Sequence, residues 1–275
     1  MRTRVGHIQF LNSFPLFYGL IEKRVLLDFD LIKGRPSELN RMLAAGELDI
    51  APISSIEYAR HHKEYILIPD IAIAANGIVK SILLISKVPW KELGGKRVAL
   101  ANTSAASQAL LKILMARKYG LDVNYFESPP DLNAMLMEAD AALLIGDDAM
   151  RADLTLSQKM FVYDLGQEWQ DYNGHAMVFA VWAVRRDYAQ AYPEQVKRVK
   201  DALLESMAFS LQHLQDVAKK AAEWEVFTPQ ALEEYFATLC FDFGDRQQAG
   251  LLAYYREAFR QGLLEEVPQL MFLEA

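Results

Sequence analysis

"VPWKELGGKRVALAN", residues 88–102, decides how the chain divides. Pro89, Gly94 and Gly95 break any helical or strand period here. RVALAN then opens a fresh apolar run. Beyond it the pattern alternates: a helix in SQALLKILMARKYG (107–120), a strand in VNYF (123–126), a helix in DLNAMLMEA (131–139), a strand in AALLIG (141–146) and a short helix after it. FVYDLG (161–166) and AMVFAVWAVR (176–185) are the last strand candidates. The spacing predicts a whole α/β unit starting at residue 88.

The segment before the break alternates in the same way. TRVGHIQF (3–10) reads as a strand, PLFYGLIEKR (15–24) as a helix and LLDFDLI (26–32) as a strand. SELNRMLAAG (37–46) reads as a helix with Leu39, Met42 and Leu43 on one face and Gly46 as its C-cap. LDIAPI (48–53) is a short strand, Ser54-Ser55 open the helix SIEYARHH, and YILIPDIAIAANG (65–77) and IVKSILLIS (78–86) are two further apolar runs. From Asp187 the chain reads as helical: 192–224, then TPQALEEYFATLC, then GDRQQAGLLAYYREAFRQG. There is no internal repeat and no low-complexity tract. Alternation of this kind predicts an α/β fold with mostly parallel pairing. The order predicts residues 1–87 plus 181–275 as lobe I, covered by the C-terminal helices, and 88–180 as an inserted lobe II. Two crossings make a hinge, and the cleft between two α/β lobes is a natural ligand site.

Composition narrows the function classes. The 275 residues are 52% hydrophobic and 24% charged, an ordinary globular make-up, and length alone suggests two domains. A net charge of −7 argues against a nucleic-acid binder, which shows a basic face. It leaves room for small anions, which dipoles and hydroxyls hold without cations. The single cysteine, Cys240, excludes an internal disulfide and reads as a small hydrophobe in a helical run. The N-terminus passes directly into a strand pattern without a signal-peptide core, and no uncharged apolar run reaches the length of a membrane span. The expected location is cytoplasmic.

Four strand-to-helix junctions carry small polar groups: Asn12-Ser13, Ser54-Ser55, Ser104-Ala105-Ala106-Ser107 and Gly146-Asp147-Asp148. Such junctions present free N–H groups and the positive end of a helix dipole, which suit carboxylates and phosphates. Each alone reads as a helix cap. Asn12 or Ser13, just before Pro15, is placed to cap the first helix. Four junctions around one cleft point further, to a shared ligand site. Ser81 differs, lying within the apolar run GIVKSILLIS. Its hydroxyl either bonds backbone or points into a cleft, and pattern alone favours the first.

Familiar catalytic signatures are missing. There is no GxSxG elbow and no HExxH pair. His61 and His62 are adjacent and point apart on a helix, while His7, His175 and His213 are scattered. Gly94-Gly95-Lys96 lacks the phosphate-loop spacing, and no GxGxxG follows a strand. No metal and no nucleotide cofactor is expected.

The order of motifs resembles the chorismate dehydratases of the futalosine route to menaquinone, the MqnA-type enzymes. FLNSFPLFYGL (10–20) is similar to their opening Asn and Pro-Leu after the first strand. AAGELDIAPISSIEYAR, IPDIAIAANGIVKSILLISKVP, NTSAASQALLKIL, ADAALLIGDDAM, YDLGQEW and VFAVWAVR follow in the family's order, covering residues 4 to about 186. Two positions depart from it. Ala106 stands where a Thr is usual, and His175-Ala176 stands where Leu-Pro is usual, which leaves the role of His175 open.

The resemblance implies a two-lobed type II periplasmic-binding-protein-like fold with a ligand cleft between the lobes. It implies a lyase that removes water from chorismate to give 3-(1-carboxyvinyloxy)benzoate. In the family the Asn of the first motif faces the ligand, so Asn12 is implied as a catalytic residue, with Ser81 beside it to position the ring and the leaving hydroxyl. Chorismate is a dianion, and Ser54, Ser55, Ser104, Ala105, Ser107, Gly146 and Asp147 are implied as substrate-binding residues. No His or carboxylate in the motifs presents itself as the base, so the substrate's own enolpyruvyl carboxylate is expected to take the proton. Two alternatives are a solute-binding protein of the same fold, which an export signal or lipid anchor would mark, and the sister 1,4-dihydroxy-6-naphthoate synthase. That relative opens on a different motif and uses a His base. The expected partner is a small dianionic substrate, without nucleic acid or membrane.

Overall fold

The computed structural model describes residues 2–22 and 29–274. Parts of two expected elements, residues 23–24 of the first helix and 26–28 of the second strand, lie outside the described residues. Two compact units divide the chain. Met1–Ala74, Val178–Gly244 and Pro268–Ala275 form the first, and Ala75–Met177 with Asp245–Val267 the second.

In chain order the elements begin with β1 (Thr3–Ile8), α1 (Phe14–Glu22), β2 (Phe29–Gly34), α2 (Pro36–Ala44), β3 (Ile50–Ser54), α3 (Ser55–Arg60) and β4 (Tyr65–Ala75). They continue with β5 (Ile82–Ser86), β6 (Arg97–Ala101), α4 (Ala105–Ile113), β7 (Asn124–Ser128), α5 (Leu132–Glu138), β8 (Ala141–Ile145), α6 (Gly146–Leu154), β9 (Phe161–Asp164) and α7 (Leu165–Asn173). Then come β10 (Met177–Arg185), α8 (Arg186–Ala191), α9 (Pro193–Gln212), α10 (Leu214–Ala222), α11 (Pro229–Phe236), β11 (Leu239–Cys240) and α12 (Asp245–Arg260).

The first unit is built on a six-stranded sheet ordered β11-β4-β10-β3-β1-β2. β1 runs parallel to both β2 and β3. β10 returns antiparallel to β3, with Val181 opposite Ile53. β3 is buried along its whole length, as a central strand covered on both faces must be. α1 packs on α9 at Gly19, where an added Cβ would stand 2.7 Å from the Ser206 carbonyl oxygen. The Ser206 hydroxyl accepts from the Leu20 N–H at 3.0 Å in the same contact.

The second unit holds a five-stranded sheet ordered β7-β6-β8-β5-β9. β6 is parallel to β7 and β8, and β5 is antiparallel to β8 and β9. Leu83, Ile85, Ala99, Met135 and Leu144 form its core. α12 packs into this unit: the Tyr254 hydroxyl donates to the Ala106 carbonyl at 3.0 Å, and Gly250 lets the Ala176 carbonyl approach where a Cβ would stand 2.3 Å away.

Five features depart from the sequence reading. The first crossing falls at Ala75 rather than 88, because Ile82–Ser86 is hydrogen-bonded between β8 and β9. The punctuated stretch at Pro89–Gly95 is a turn within the second unit, held by Trp90 stacked on Tyr119 and tilted against Tyr163, each with ring centroids 4.5 Å away. α12 belongs to the second unit rather than covering the first. Cys240 is a half-buried residue of β11, not part of a helix. Pairing is also mixed rather than mostly parallel, because β10 runs against β3 and β5 runs against β8 and β9. Among the described residues no helix is long and apolar enough to cross a membrane.

Candidate functional site

Strand direction gathers the polar junctions of each unit onto one sheet edge. In the first unit β1 and β3 are parallel neighbours, so the chain after Ile8 and Ser54 at the end of β3 share the carboxyl edge. Ligands of parallel α/β sheets collect at that edge. Asn12 lies there in a short 3₁₀ turn, Leu11–Ser13. Its Oδ1 is buried and has no hydrogen-bond partner. A capping side chain accepts an N–H bond, so Asn12 is not a cap. Ser13 is not one either: its hydroxyl donates back to the Ile8 carbonyl at 2.6 Å. His7, on β1, stacks on Phe17 at 3.8 Å and its Nδ1 is also buried without a partner. Burial, with Lys33 opposite it on β2, lowers the His7 pKa to about 4, so the ring is neutral near pH 7.

Ser54, 2% exposed, is pinned by a residue the sequence reading did not single out. Asn40 on α2 accepts the Ser54 N–H at 3.0 Å and offers its own Nδ2 to the Ser54 oxygen at 3.4 Å. With its oxygen accepting, the Ser54 hydroxyl has its proton left to give. Ser55 does other work, donating to the Val178 carbonyl at 2.8 Å and tying α3 to the start of β10.

In the second unit β6 and β8 are parallel neighbours and β5 runs against β8. The ends of β6 and β8 and the starts of β5 therefore meet on one edge, which brings Ser104, Gly146 and Ser81 together there. Ser81 is 1% exposed and directly precedes β5 rather than lying within it. Its carbonyl accepts the Gly146 N–H at 2.7 Å. Ser104 caps α4, its hydroxyl oxygen accepting the Ser107 N–H at 3.4 Å and lying 3.2 Å from the Ser107 oxygen. Ala105 and Ala106 contribute first-turn N–H groups with no acceptor inside the helix. Thr103, beside them and 1% exposed, has a buried hydroxyl oxygen without a partner. Asp147, 7% exposed, sits in the first turn of α6, where its own charge complements the helix dipole. A second carboxylate would be repelled there, so that junction suits Ser81 positioning better than anion binding.

The sequence profile of a family described as menaquinone biosynthesis matches residues 3–260. This chain belongs to that family. Among curated relatives, a chorismate dehydratase of Thermus thermophilus is 31% identical over 264 residues, covering 91% of this chain and 93% of the relative. The fold likewise has solved counterparts. A protein of Archaeoglobus fulgidus superposes with a TM-score of 0.79 at 23% identity, covering 96% of this chain and 98% of that one. The periplasmic aliphatic sulphonate binding protein of Escherichia coli gives a TM-score of 0.68 at 17% identity, covering 100% of this chain and 94% of that one. The fold is the periplasmic-binding-protein-like fold.

For this member of the menaquinone biosynthesis family, the structure groups Asn12 with Ser54 in one unit and Ser81 with Ser104, Ser107 and Gly146 in the other. Ser55 and Gly146 have visible structural duties. Asn40 and Thr103 are additions. A signal for Asn40 existed, since a mid-helix Asn competes with the helical backbone and needs a reason to be there. Thr103 gave none beyond its place next to Ser104. His175, exposed, has its N–H bonded to the Asn173 side chain at 3.0 Å. Among the described residues no group of three His, Cys, Asp or Glu side chains is arranged to hold a metal ion.

Proposed function

We propose that this protein dehydrates chorismate to 3-(1-carboxyvinyloxy)benzoate, on the futalosine route of menaquinone biosynthesis and in the cytoplasm. The observation that carries the reading is the end-to-end similarity to a chorismate dehydratase, over nine-tenths of both chains. The polar groups fit the substrate's chemistry. Chorismate brings two carboxylates, and the α4 start with Ser104, Ala105 and Ser107 is one subsite that holds such a group by N–H and hydroxyl donors. Ser54, with a proton to donate, contributes to the other.

The reaction takes a proton from C3 and expels the C4 hydroxyl as water, leaving an aromatic ring. Aromatisation drives it, so the protein's task is to hold the geometry. Asn12 and Ser81 are assigned to the ring and the departing hydroxyl. The enolpyruvyl carboxylate is assigned as base. Support for Asn12 is its unpartnered Oδ1, a buried polar atom left waiting for a donor such as the C4 hydroxyl. The test is to incubate the purified chain with chorismate and follow the product by mass and ultraviolet absorbance. A product lighter by one water with a benzoate spectrum is expected. Unchanged chorismate at high enzyme concentration refutes the proposal.

A further inference from the structure

Ser81 stands at the end of a loop that is clamped by one half-buried carboxylate. Asp164 ends β9, and antiparallel pairing sets it opposite Leu83 of β5. Its two oxygens accept four backbone N–H groups. Gly166 at 2.9 Å and Gln167 at 3.1 Å are the first-turn donors of α7. Val79 at 3.1 Å and Lys80 at 2.7 Å come from the loop, 85 and 84 residues away in sequence. An N-cap needs only the first pair. The second pair has no role in capping.

The loop is held at other points too. Lys80 has φ +61°, a left-handed conformation that side-chain-bearing residues avoid. Gly77, at φ +99°, presses its carbonyl against Gly166, where an added Cβ would stand 2.4 Å from it. The Asn76 side-chain oxygen accepts from Gln170 at 3.2 Å and from Arg246 at 2.6 Å. Beyond the loop, the Gly146 N–H fixes the Ser81 carbonyl. Asp164 therefore closes the one stretch, 79–80, that would otherwise relax out of its unfavourable backbone conformation. A non-glycine residue held this way needs surroundings that over-determine it, and such residues gather at functional sites.

We propose that Asp164 is a positioning residue for Ser81: it holds the peptides of Val79 and Lys80 so that the Ser81 hydroxyl keeps its place at the sheet edge. This rests on the reading above that Ser81 faces the substrate. Asp164→Asn keeps one oxygen to cap α7, with the Val79 N–H still 3.2 Å from it, but turns an N–H₂ group toward the Lys80 N–H, which that second oxygen alone accepts.

The experiment compares Ser81→Ala, Asp164→Asn and the double variant in the full chain with chorismate. The expected result is a kcat loss of at least tenfold for each single variant with KM changed less than threefold. The double variant should be no slower than Ser81→Ala within about twofold. Adding Lys80→Gly to Asp164→Asn should restore part of kcat, since glycine adopts positive φ unaided. If Asp164→Asn fails to fold, Lys80→Val leaves the α7 cap intact and opposes the same conformation; it should reproduce the kcat loss, again without adding to Ser81→Ala. Losses that multiply in the double variant, or parental kcat in Asp164→Asn or Lys80→Val, overturn the proposal. Parental kcat in Ser81→Ala overturns both it and the reading beneath it.

Discussion

Asn12 is the residue on which the account of the site can be tested most sharply. Asp caps helices as well as Asn does, so a mere cap would tolerate Asn12→Asp. A carboxylate facing a dianion would not. At about 4 Å and an effective dielectric near 20, like charges cost about 4 kcal/mol, so turnover should fall on the order of 100- to 1000-fold while the melting temperature stays near the parent's. Activity that simply tracks lost folding would contradict this. His7 supplies a second test at the same scale. Its pKa is lowered to about 4 in the fold against an ordinary 6.5. Between those values the unfolded chain binds the proton and the folded chain does not, so stability falls as pH drops from about 6.5 towards 4. The slope from this one group is at most about 1.4 kcal/mol per pH unit. Urea midpoints at pH 7 and pH 5 should differ less for His7→Leu than for the parent.

At the scale of elements, Gly19 decides how closely α1 meets α9. Gly19→Ala would put a methyl 2.7 Å from a backbone oxygen and 2.8 Å from the Ser206 Cα, and backbone cannot swing aside as a side-chain tip can. A loss of about 1–3 kcal/mol in unfolding free energy is expected, read as a lower chemical-denaturation midpoint. Turnover per folded molecule should be little changed. The elements themselves were legible in the sequence where apolar runs met small polar junctions, as at Ile53-Ser54 and Ala101 to Ser104. Their partners were not. Nothing near Ile82–Ser86 says that its neighbours are Ala141–Ile145 and Phe161–Asp164, because pairing is a long-range contact without a local signature. The break between α9 and α10 at His213 carries neither Gly nor Pro, so the run 192–224 read as one helix. β11 is two residues long and follows a helix directly, too short to show a period of two.

The whole molecule combines a family membership with a set of polar groups at two sheet edges. Candidate site residues could be named from the sequence as residue types at junctions, and the structure sorts the polar groups there by what their donors and acceptors are committed to. Asn12 and Thr103 have unspent buried oxygens, while the Ser55 hydroxyl is spent on backbone. That sorting has no signature in the order of residues. The proposed elimination ends in an aromatic ring and moves no electrons to an acceptor. Among the described residues no group of three His, Cys, Asp or Glu side chains is arranged to hold a metal ion, so exhaustive chelation should leave turnover unchanged, and loss of activity restored by one metal ion would contradict the account. The most direct measurement follows chorismate deuterated at C3 by proton NMR in the presence of the purified chain. The account predicts benzoate ring protons with the enolpyruvyl vinyl signals intact, deuterium lost from the ring and one water formed per product. Persistence of chorismate, or release of free pyruvate with loss of the vinyl signals, would contradict it.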